Sequence, residues 1–290
     1  MLLLLSPGQG SQSPGLLRPW LALPGASDAV TRWSELSGLD LLELGTEAPA
    51  EVVRQTEVAQ PLLTAAALLS GRALLGDGRP DLVCGHSVGE LSALALAGVL
   101  TDDEAVVLAA GRGRLMAQAA AEQPTGMAAV LGGAALDEDE LAAAGLQVAT
   151  VNVTGQVVVG GPVTALEAWA PAGARVRRLD VAGAFHTRAM ASAVPGLTAL
   201  VDALAPSDAH CDVVANADGA RLRDGRALLD RLVAQLTRPV RFDLCLAACT
   251  DASRAVELAP AGVLAALAKR ALPDLPVTPL RTDEDLRVTA

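Results

Sequence analysis

A serine between two glycines is the first group in this sequence that could do covalent chemistry. Residues 85–89 read Gly-His-Ser-Val-Gly, a match to the pattern Gly-x-Ser-x-Gly with Ser87 at its centre. In enzymes with this pattern, the serine lies on a sharp turn between a strand and a helix. Its hydroxyl is then exposed at a helix N-terminus, which favours a developing negative charge. The pattern predicts a nucleophile, although a turn in which Ser87 only caps a helix would also fit.

A serine hydroxyl needs a base before it can act as a nucleophile. The chain has three histidines, at positions 86, 186 and 210. His186 is the best candidate because it follows a predicted strand end and precedes a predicted helix. His86 adjoins the serine, so we expect the turn to direct its side chain elsewhere, and His210 is typical of a surface or packing residue. Taken alone, His186 is only slightly favoured as a base over a structural histidine.

A glycine-rich loop follows the first predicted strand. The segment Gly8-Gln9-Gly10 lacks the third glycine and the later acidic residue of a dinucleotide-binding fingerprint. A better role for it is to supply a backbone N–H to an oxyanion hole, with the N–H of Val88 as the second donor.

Arg112 lies in an otherwise apolar helical region. Arginine is the residue best suited to bidentate binding of a carboxylate. A solvated surface arginine is the default interpretation without further information, and it fits Arg114 better.

Composition and charge exclude several classes of function. The chain has 290 residues, of which 51% are hydrophobic and 2% aromatic, so a sizeable core must be built from Leu, Ala and Val. Because the formal charge is −11, the chain has too few basic residues for a broad surface that binds nucleic acid.

Cysteines and apolar runs point to an ordinary cytoplasmic protein. The four cysteines form no CxxC pair and the histidines show no metal-ligand spacing, so we expect buried, reduced thiols and no metal. The apolar run at residues 91–100 is too short to span a bilayer. Residues 2–5 are apolar without a preceding basic residue, which favours a buried strand over a secretory signal. We therefore expect no membrane association.

Strands and helices must alternate to place these groups. Short apolar segments alternate with helical ones along most of the chain, which predicts an α/β architecture. Residues 2–5 and 81–84 are predicted strands, and residues 60–75 and 89–97 are predicted helices.

A separate pattern occupies residues 123–183. It reads βαββαβ, which is typical of a small ferredoxin-like unit. We expect this unit to interrupt a larger, discontinuous α/β domain made of residues 1–122 and 184–290. Beyond it, residues 189–204 and 225–236 are predicted helices.

Many short blocks of this chain, in order, resemble one enzyme family over nearly the whole length. The blocks are Pro7–Gln12, Gln60-Pro61, Gly85–Glu90, Arg112-Gly113, Met116, Asn152, Gly155–Val158, Gly183–His186, Gln235 and Pro239-Val240. Together they resemble the malonyl-CoA:acyl-carrier-protein transacylases of bacterial fatty-acid synthesis, and are similar to the acyltransferase domains of polyketide synthases. The resemblance implies a hydrolase-like α/β domain with a ferredoxin-like insertion, which agrees with the pattern of elements.

The resemblance also implies a mechanism. Ser87 would attack a malonyl thioester while His186 takes its proton, and the backbone N–H groups of Gln9 and Val88 would hold the oxyanion. Arg112 occupies the position of the malonyl-carboxylate ligand. The main-chain carbonyl of Gln235 falls where the family orients its histidine, so a Ser-His dyad needs no acidic third member.

Selectivity and partners follow from the same resemblance. Phe185 matches the malonyl-selective form of the motif. The substrate would be malonyl-CoA, with no tightly bound cofactor, and the acceptor would be a phosphopantetheinylated acyl carrier protein, bound by a cytoplasmic monomer. Because both proteins would be acidic, docking must use local basic residues. The candidates are Arg175, Arg177, Arg178, Arg188, Lys269 and Arg270.

Two other functions stay open at this point. A serine hydrolase, patatin-like or a thioesterase, would pass the acyl group to water, and Asp218-Gly219 offers a possible patatin-like partner for Ser87. A non-catalytic module that binds acyl-CoA or carrier protein is the second alternative.

Overall fold

Two β-sheets and the helices around them make up the protein. The computed structural model describes residues 1–132, 136–171 and 173–289. The strands are β1 (Leu2–Ser6), β2 (Leu82–Gly85), β3 (Thr125–Gly132), β4 (Gln147–Val153), β5 (Gln156–Pro162), β6 (Ala174–Arg178), β7 (Asp212–Val214), β8 (Arg221–Leu222), β9 (Val240–Arg241), β10 (Arg254–Glu257) and β11 (Val277–Pro279). The α-helices are α1 (Ala26–Ser37), α2 (Leu41–Thr46), α3 (Ala50–Val53), α4 (Thr56–Leu75), α5 (Gly89–Leu96), α6 (Asp102–Ala121), α7 (Glu138–Ala143), α8 (Val163–Ala168), α9 (Val194–Asp202), α10 (Gly225–Ala234), α11 (Phe242–Ala247), α12 (Val263–Ala271) and α13 (Leu286–Thr289).

The larger sheet has the strand order β11-β10-β1-β2-β7-β8. All its pairings are parallel except that of β7 with β8. The central strand β1 is apolar on both faces because Leu4 packs into one hydrophobic cluster while Leu3 and Leu5 pack into another. This is the pattern of a parallel sheet covered on both sides. The predicted α/β class is confirmed.

The smaller sheet has the order β6-β3-β5-β4-β9. Its first four strands are antiparallel and, with α7 and α8, follow the predicted βαββαβ order in the spatial arrangement of a ferredoxin-like unit. The fifth strand, β9, comes from the later part of the chain and pairs parallel with β4. The sheet is therefore wider than residues 123–183, and the domain boundaries at 122 and 184 stay a prediction.

The helix α4 crosses the core of the protein. In the part of the chain that the structure describes, it is the one helix with the length and composition of a membrane span, but 78% of its most apolar window is buried inside the protein. A helix that is apolar all round is expected in the interior of a soluble protein. It begins at Thr56, one turn before the predicted start at residue 60, and accommodates Pro61 in its interior.

Two predicted helices are each divided. Residues 189–204 were expected to form one helix, but a 3₁₀ segment at Arg188–Ala193 precedes α9, because Pro195 fits the first turn of a helix better than its interior. Similarly, α10 ends at Ala234 and is followed by a 3₁₀ turn at Gln235–Thr237.

The cysteines lie in the interior, as expected. Cys84, Cys211, Cys245 and Cys249 are all buried free thiols.

Candidate active site

Ser87 occupies the sharp turn between β2 and α5, as the motif predicts. Its backbone is left-handed, with φ of 55°. A Cβ on Gly85 would lie 2.1 Å from the backbone carbon of Gly89, and one on Gly89 would lie 2.2 Å from the carbonyl oxygen of Ser6. Only glycine fits these two positions, so the motif's glycines allow the strand and the helix to approach each other.

His186 is the histidine that meets the serine. Its Nε2 lies 2.7 Å from Ser87 Oγ, and its Nδ1 lies 2.8 Å from the main-chain carbonyl oxygen of Gln235. Because the carbonyl can only accept, Nδ1–H donates to it and Nε2 is left to accept the serine proton. The carbonyl is available because Gln235 begins the 3₁₀ turn after α10, where helix carbonyls lose their internal donors.

The protonation state of His186 suits a base. Burial, and after it the positive charge of Arg112, lower the pKa of His186 to about 3. The imidazole is therefore neutral near pH 7 and ready to take a proton.

Arg112 is buried beside the nucleophile, so its surface interpretation was wrong. On α6, it is 1% exposed, whereas Arg114 on the same helix is exposed. Its Nη1 donates to Gln60 Oε1 at 2.7 Å and its Nη2 to Gln235 Oε1 at 2.8 Å, and Nη2 lies 3.4 Å from Ser87 Oγ.

The charge of Arg112 lacks a direct partner. Among the described residues no carboxylate lies within ion-pair distance of it, and its Nε has no acceptor. Burial lowers the pKa of Arg112 to about 10, which leaves the guanidinium charged at neutral pH. A buried, unpaired guanidinium next to a nucleophile suits a substrate that carries a carboxylate.

The two expected oxyanion donors flank the turn. Gln9 follows β1 and Val88 follows Ser87, so both lie at the carboxyl ends of neighbouring parallel strands, where α/β proteins bind ligands. Neither N–H donates to an acceptor in the chain as far as it is described. The loop of Gln9 also packs directly on the turn, since a Cβ on Gly8 would lie 2.4 Å from the carbonyl oxygen of His86.

An apolar cleft leads to Ser87. Its lining includes Phe185, Met116, Met127, Val158, Leu179 and Val181, with Val263, Leu264 and Leu267 of α12 also part of it. Phe185, 5% exposed, precedes the base directly. The cleft lining is therefore largely apolar and includes Ser87 and His186, and the buried Arg112 lies 3.4 Å from Ser87 Oγ through its Nη2.

Sequence reasoning gave no role to three polar residues behind the site. Asn216 follows β7, its Oδ1 accepts the Ser87 N–H at 2.8 Å, and its Nδ2 donates to the Gly85 carbonyl at 2.6 Å. Gln60 and Glu90 are buried as well. The available signal for Asn216 was a polar residue at the end of a strand, the same signal that marks Ser87.

The other candidates lie outside the dyad. His86 turns away from Ser87, as expected, and its Nε2 lies 2.9 Å from Asn152 Oδ1. Asp218 has a side chain that is 50% exposed and forms an ion pair with Arg231 at 2.7 Å. Since the base beside Ser87 is His186, the patatin-like pairing with Asp218 has no support in this geometry.

Comparisons with known proteins identify the family of this chain. The family described as acyl transferase domain matches residues 4–283. This chain belongs to the acyl transferase family. A curated acyl transferase from Mycobacterium tuberculosis, named malonyl CoA-acyl carrier protein transacylase, is 47% identical over 99% of this chain and 98% of its own. The protein of that name from Escherichia coli strain K12 is 34% identical, with 94% of each chain covered.

Solved structures of acyl transferases have the same fold. The crystal structure of MCAT from Mycobacterium tuberculosis superposes with a TM-score of 0.94 at 46% identity, and covers 100% of this chain and 99% of its own. A second structure contains a type II PKS acyl-carrier protein in complex with its malonyl-transacylase. Its TM-score is 0.90 at 30% identity, with 99% of this chain and 98% of that chain covered.

Proposed function

We propose that this acyl transferase moves a malonyl group from malonyl-CoA to the phosphopantetheine thiol of an acyl carrier protein. The observation that carries the proposal is Arg112, a buried guanidinium without a carboxylate partner whose Nη2 lies 3.4 Å from Ser87 Oγ. The names of the relatives support the same substrate and acceptor.

In the first half-reaction, Ser87 Oγ forms a bond to the thioester carbonyl carbon while its proton passes to His186 Nε2. The resulting oxyanion accepts hydrogen bonds from the N–H groups of Gln9 and Val88. When this intermediate collapses, the C–S bond breaks and His186 returns the proton to the sulfur of CoA. A malonyl ester on Ser87 remains, with its carboxylate held by Arg112.

In the second half-reaction, the carrier-protein thiol gives its proton to His186 and its sulfur attacks the malonyl ester. Ser87 leaves as the alcohol after His186 returns the proton to Oγ, and the new thioester departs on the carrier. The two substrates use one site in turn, so we expect ping-pong kinetics. These steps need no tightly bound cofactor.

Phe185 is proposed to set acyl selectivity. Its ring lines the cleft next to His186, so an α-methyl group on the malonyl unit would have to displace it. One methyl group in an apolar pocket discriminates by about 1–3 kcal/mol.

The carrier protein is proposed to dock on basic residues near the cleft of a cytoplasmic monomer. The six docking candidates from the sequence are all exposed. Arg270 lies at the end of α12, whose Val263, Leu264 and Leu267 line the cleft, and donates to Gln156 at 2.7 Å. These positions support local attraction of an acidic partner despite the overall charge of −11.

Intact-protein mass spectrometry tests the proposal. Malonyl-CoA should leave one malonyl adduct on the protein and none on a Ser87→Ala variant, and the adduct should disappear when phosphopantetheinylated carrier protein is added. An absent adduct would indicate a binding module. An adduct lost at the same rate with and without carrier protein would indicate a hydrolase.

A further inference from the structure

A buried carboxylate lies behind the malonyl pocket without an assigned role. Glu90, in the first turn of α5, is 6% exposed. Its Oε1 accepts the backbone N–H of Asn216 at 2.7 Å, and its Oε2 accepts Gln235 Nε2 at 2.6 Å. Within the described chain, no basic side chain forms an ion pair with it.

The direction of this hydrogen-bond chain is fixed by Arg112. A guanidinium can only donate, so the Gln235 side-chain atom that contacts it must be the oxygen. The amide nitrogen of Gln235 then faces Glu90 and can only donate, which makes the Glu90 oxygen an acceptor. Since the backbone N–H of Asn216 also donates, both oxygens of Glu90 must accept. The ionised carboxylate accepts both bonds most strongly, whereas a protonated Glu90 would present one donor with a hydroxyl oxygen, which is a weaker acceptor and must place its own proton elsewhere.

We propose that Glu90 is a positioning residue for malonyl selectivity, acting as an ionised carboxylate that holds the side-chain amide of Gln235, which in turn holds Arg112. This inference rests on the proposed function. Glu90 does not touch the substrate. Together with Asn216 Oδ1 at 3.0 Å, it accepts from the Gln235 amide nitrogen and so helps to keep the amide oxygen on Arg112 and Arg112 directed toward Ser87.

The surroundings of Glu90 make this role sensitive to pH. Burial raises the pKa of Glu90 to about 7, against the opposing influence of the Asn216 N–H, Arg112 on α6 and Arg231 on α10. A cavity beside Glu90 is lined by Asp218, Arg231 and Arg238. The thiol of Cys84, which belongs to β2, also lies near the Glu90 carboxylate.

As pH falls through about 7, Glu90 gains a proton and loses its charge, and one of its oxygens becomes a hydroxyl, which is a weaker acceptor. Malonyl use should then fall relative to acetyl use, because only the malonyl group needs Arg112. The pKa of His186 is lowered to about 3, so the base does not titrate in this range. Titration of the CoA moiety, which both donors share, cancels in the ratio of their kcat/KM values.

The experiment measures kcat/KM for acylation of Ser87 by malonyl-CoA and by acetyl-CoA. It compares wild type with Glu90→Gln and Glu90→Asp. Glu140→Gln, which removes an exposed carboxylate, is the control. We expect Glu90→Gln to lower the malonyl-to-acetyl ratio about tenfold or more, the loss of a hydrogen bond to a charged group. Glu90→Asp, which keeps the charge, should have a malonyl-to-acetyl ratio between those of Glu90→Gln and wild type. Glu140→Gln should have the wild-type ratio.

A folded Glu90→Gln protein with the wild-type ratio would overturn the inference. If that variant does not fold, the wild-type ratio between pH 6 and 8 decides: a fall toward low pH supports the role of Glu90, and a constant ratio overturns it. Failure of the proposed function gives a different result, because the wild type would then form no malonyl adduct at any pH, or would lose its adduct at the same rate with and without carrier protein.

Discussion

Replacing Arg112 with alanine should change the enzyme from a malonyl-selective to an unselective acyltransferase. Three of the five N–H groups of the guanidinium point to Gln60, Gln235 and Ser87 Oγ, which leaves two for a carboxylate. Two hydrogen bonds to a charged group, at about 1.5–3 kcal/mol each, give a lower bound of about 3 kcal/mol. At about 1.4 kcal/mol per tenfold, kcat/KM for malonyl-CoA should fall roughly 100-fold.

Acetyl-CoA should be affected much less because its acyl group has no carboxylate. Removing Arg112 also removes a positive charge that lowers the pKa of His186, so the base should become somewhat stronger. Arg112→Lys, which keeps the charge but lacks the planar fork, should give an intermediate ratio. Arg114→Ala, an exposed position on the same helix, is the matched control and should behave as wild type.

The assay is the malonyl-to-acetyl ratio of kcat/KM for formation of the Ser87 ester, followed by intact-protein mass spectrometry. The variant leaves the amide oxygens of Gln60 and Gln235 without their donor, which can cost stability. A ratio is insensitive to this because both donors meet the same folded fraction. A ratio within threefold of wild type in Arg112→Ala would refute the assignment of Arg112 to the malonyl carboxylate.

Three further changes test other parts of the site. His186→Ala should lower transfer by about 10²–10⁴-fold, which is the usual contribution of a general base. Asp218→Ala should keep near-wild-type transfer. The reverse order of the two variants in a transfer assay would favour a patatin-like site. Gly85→Ala should destabilise the protein by about 3 kcal/mol or more in denaturant unfolding, because its Cβ would lie 2.1 Å from a backbone carbon. Gly126→Ala, whose Cβ would meet the end of a flexible arginine at 3.3 Å and two side-chain methyl carbons at 3.7 Å or more, is its control, and equal losses would contradict the steric argument. Phe185→Ser should raise methylmalonyl-CoA use relative to malonyl-CoA about tenfold in competition assays, and an unchanged preference would remove Phe185 from selectivity.

Local patterns predicted the elements that carry the chemistry. The Gly-x-Ser-x-Gly motif predicted a strand, a sharp turn and a helix, since steric fit over five residues decides that geometry. The alternation of elements likewise predicted the α/β class and the βαββαβ order. The errors lay at element ends, such as the 3₁₀ segments at Arg188–Ala193 and Gln235–Thr237, where tertiary contacts compete with local preferences.

The partners of each site residue depended on the tertiary structure. Ser87 meets His186 across 99 residues of sequence, and Arg112 meets Gln235 across 123. No local spacing encodes such pairs, because the order of strands in the sheet decides which loops meet. The burial of Arg112 is the clearest case, because the residues next to it in the sequence fit a surface helix equally well.

The sequence by itself predicted the strand, the sharp turn and the helix around Ser87, because two glycines and an apolar strand act within a few residues of it. Through its family resemblance it also indicated the histidine and the arginine. The resemblance also implied that the main-chain carbonyl of Gln235 contacts His186, whereas only the tertiary structure decided that the Gln235 side chain contacts Arg112 and that Glu90 lies behind it. The physical reason is that hydrogen-bond direction is set by all the partners of a buried group together, and those partners come from distant segments that meet only in the folded chain.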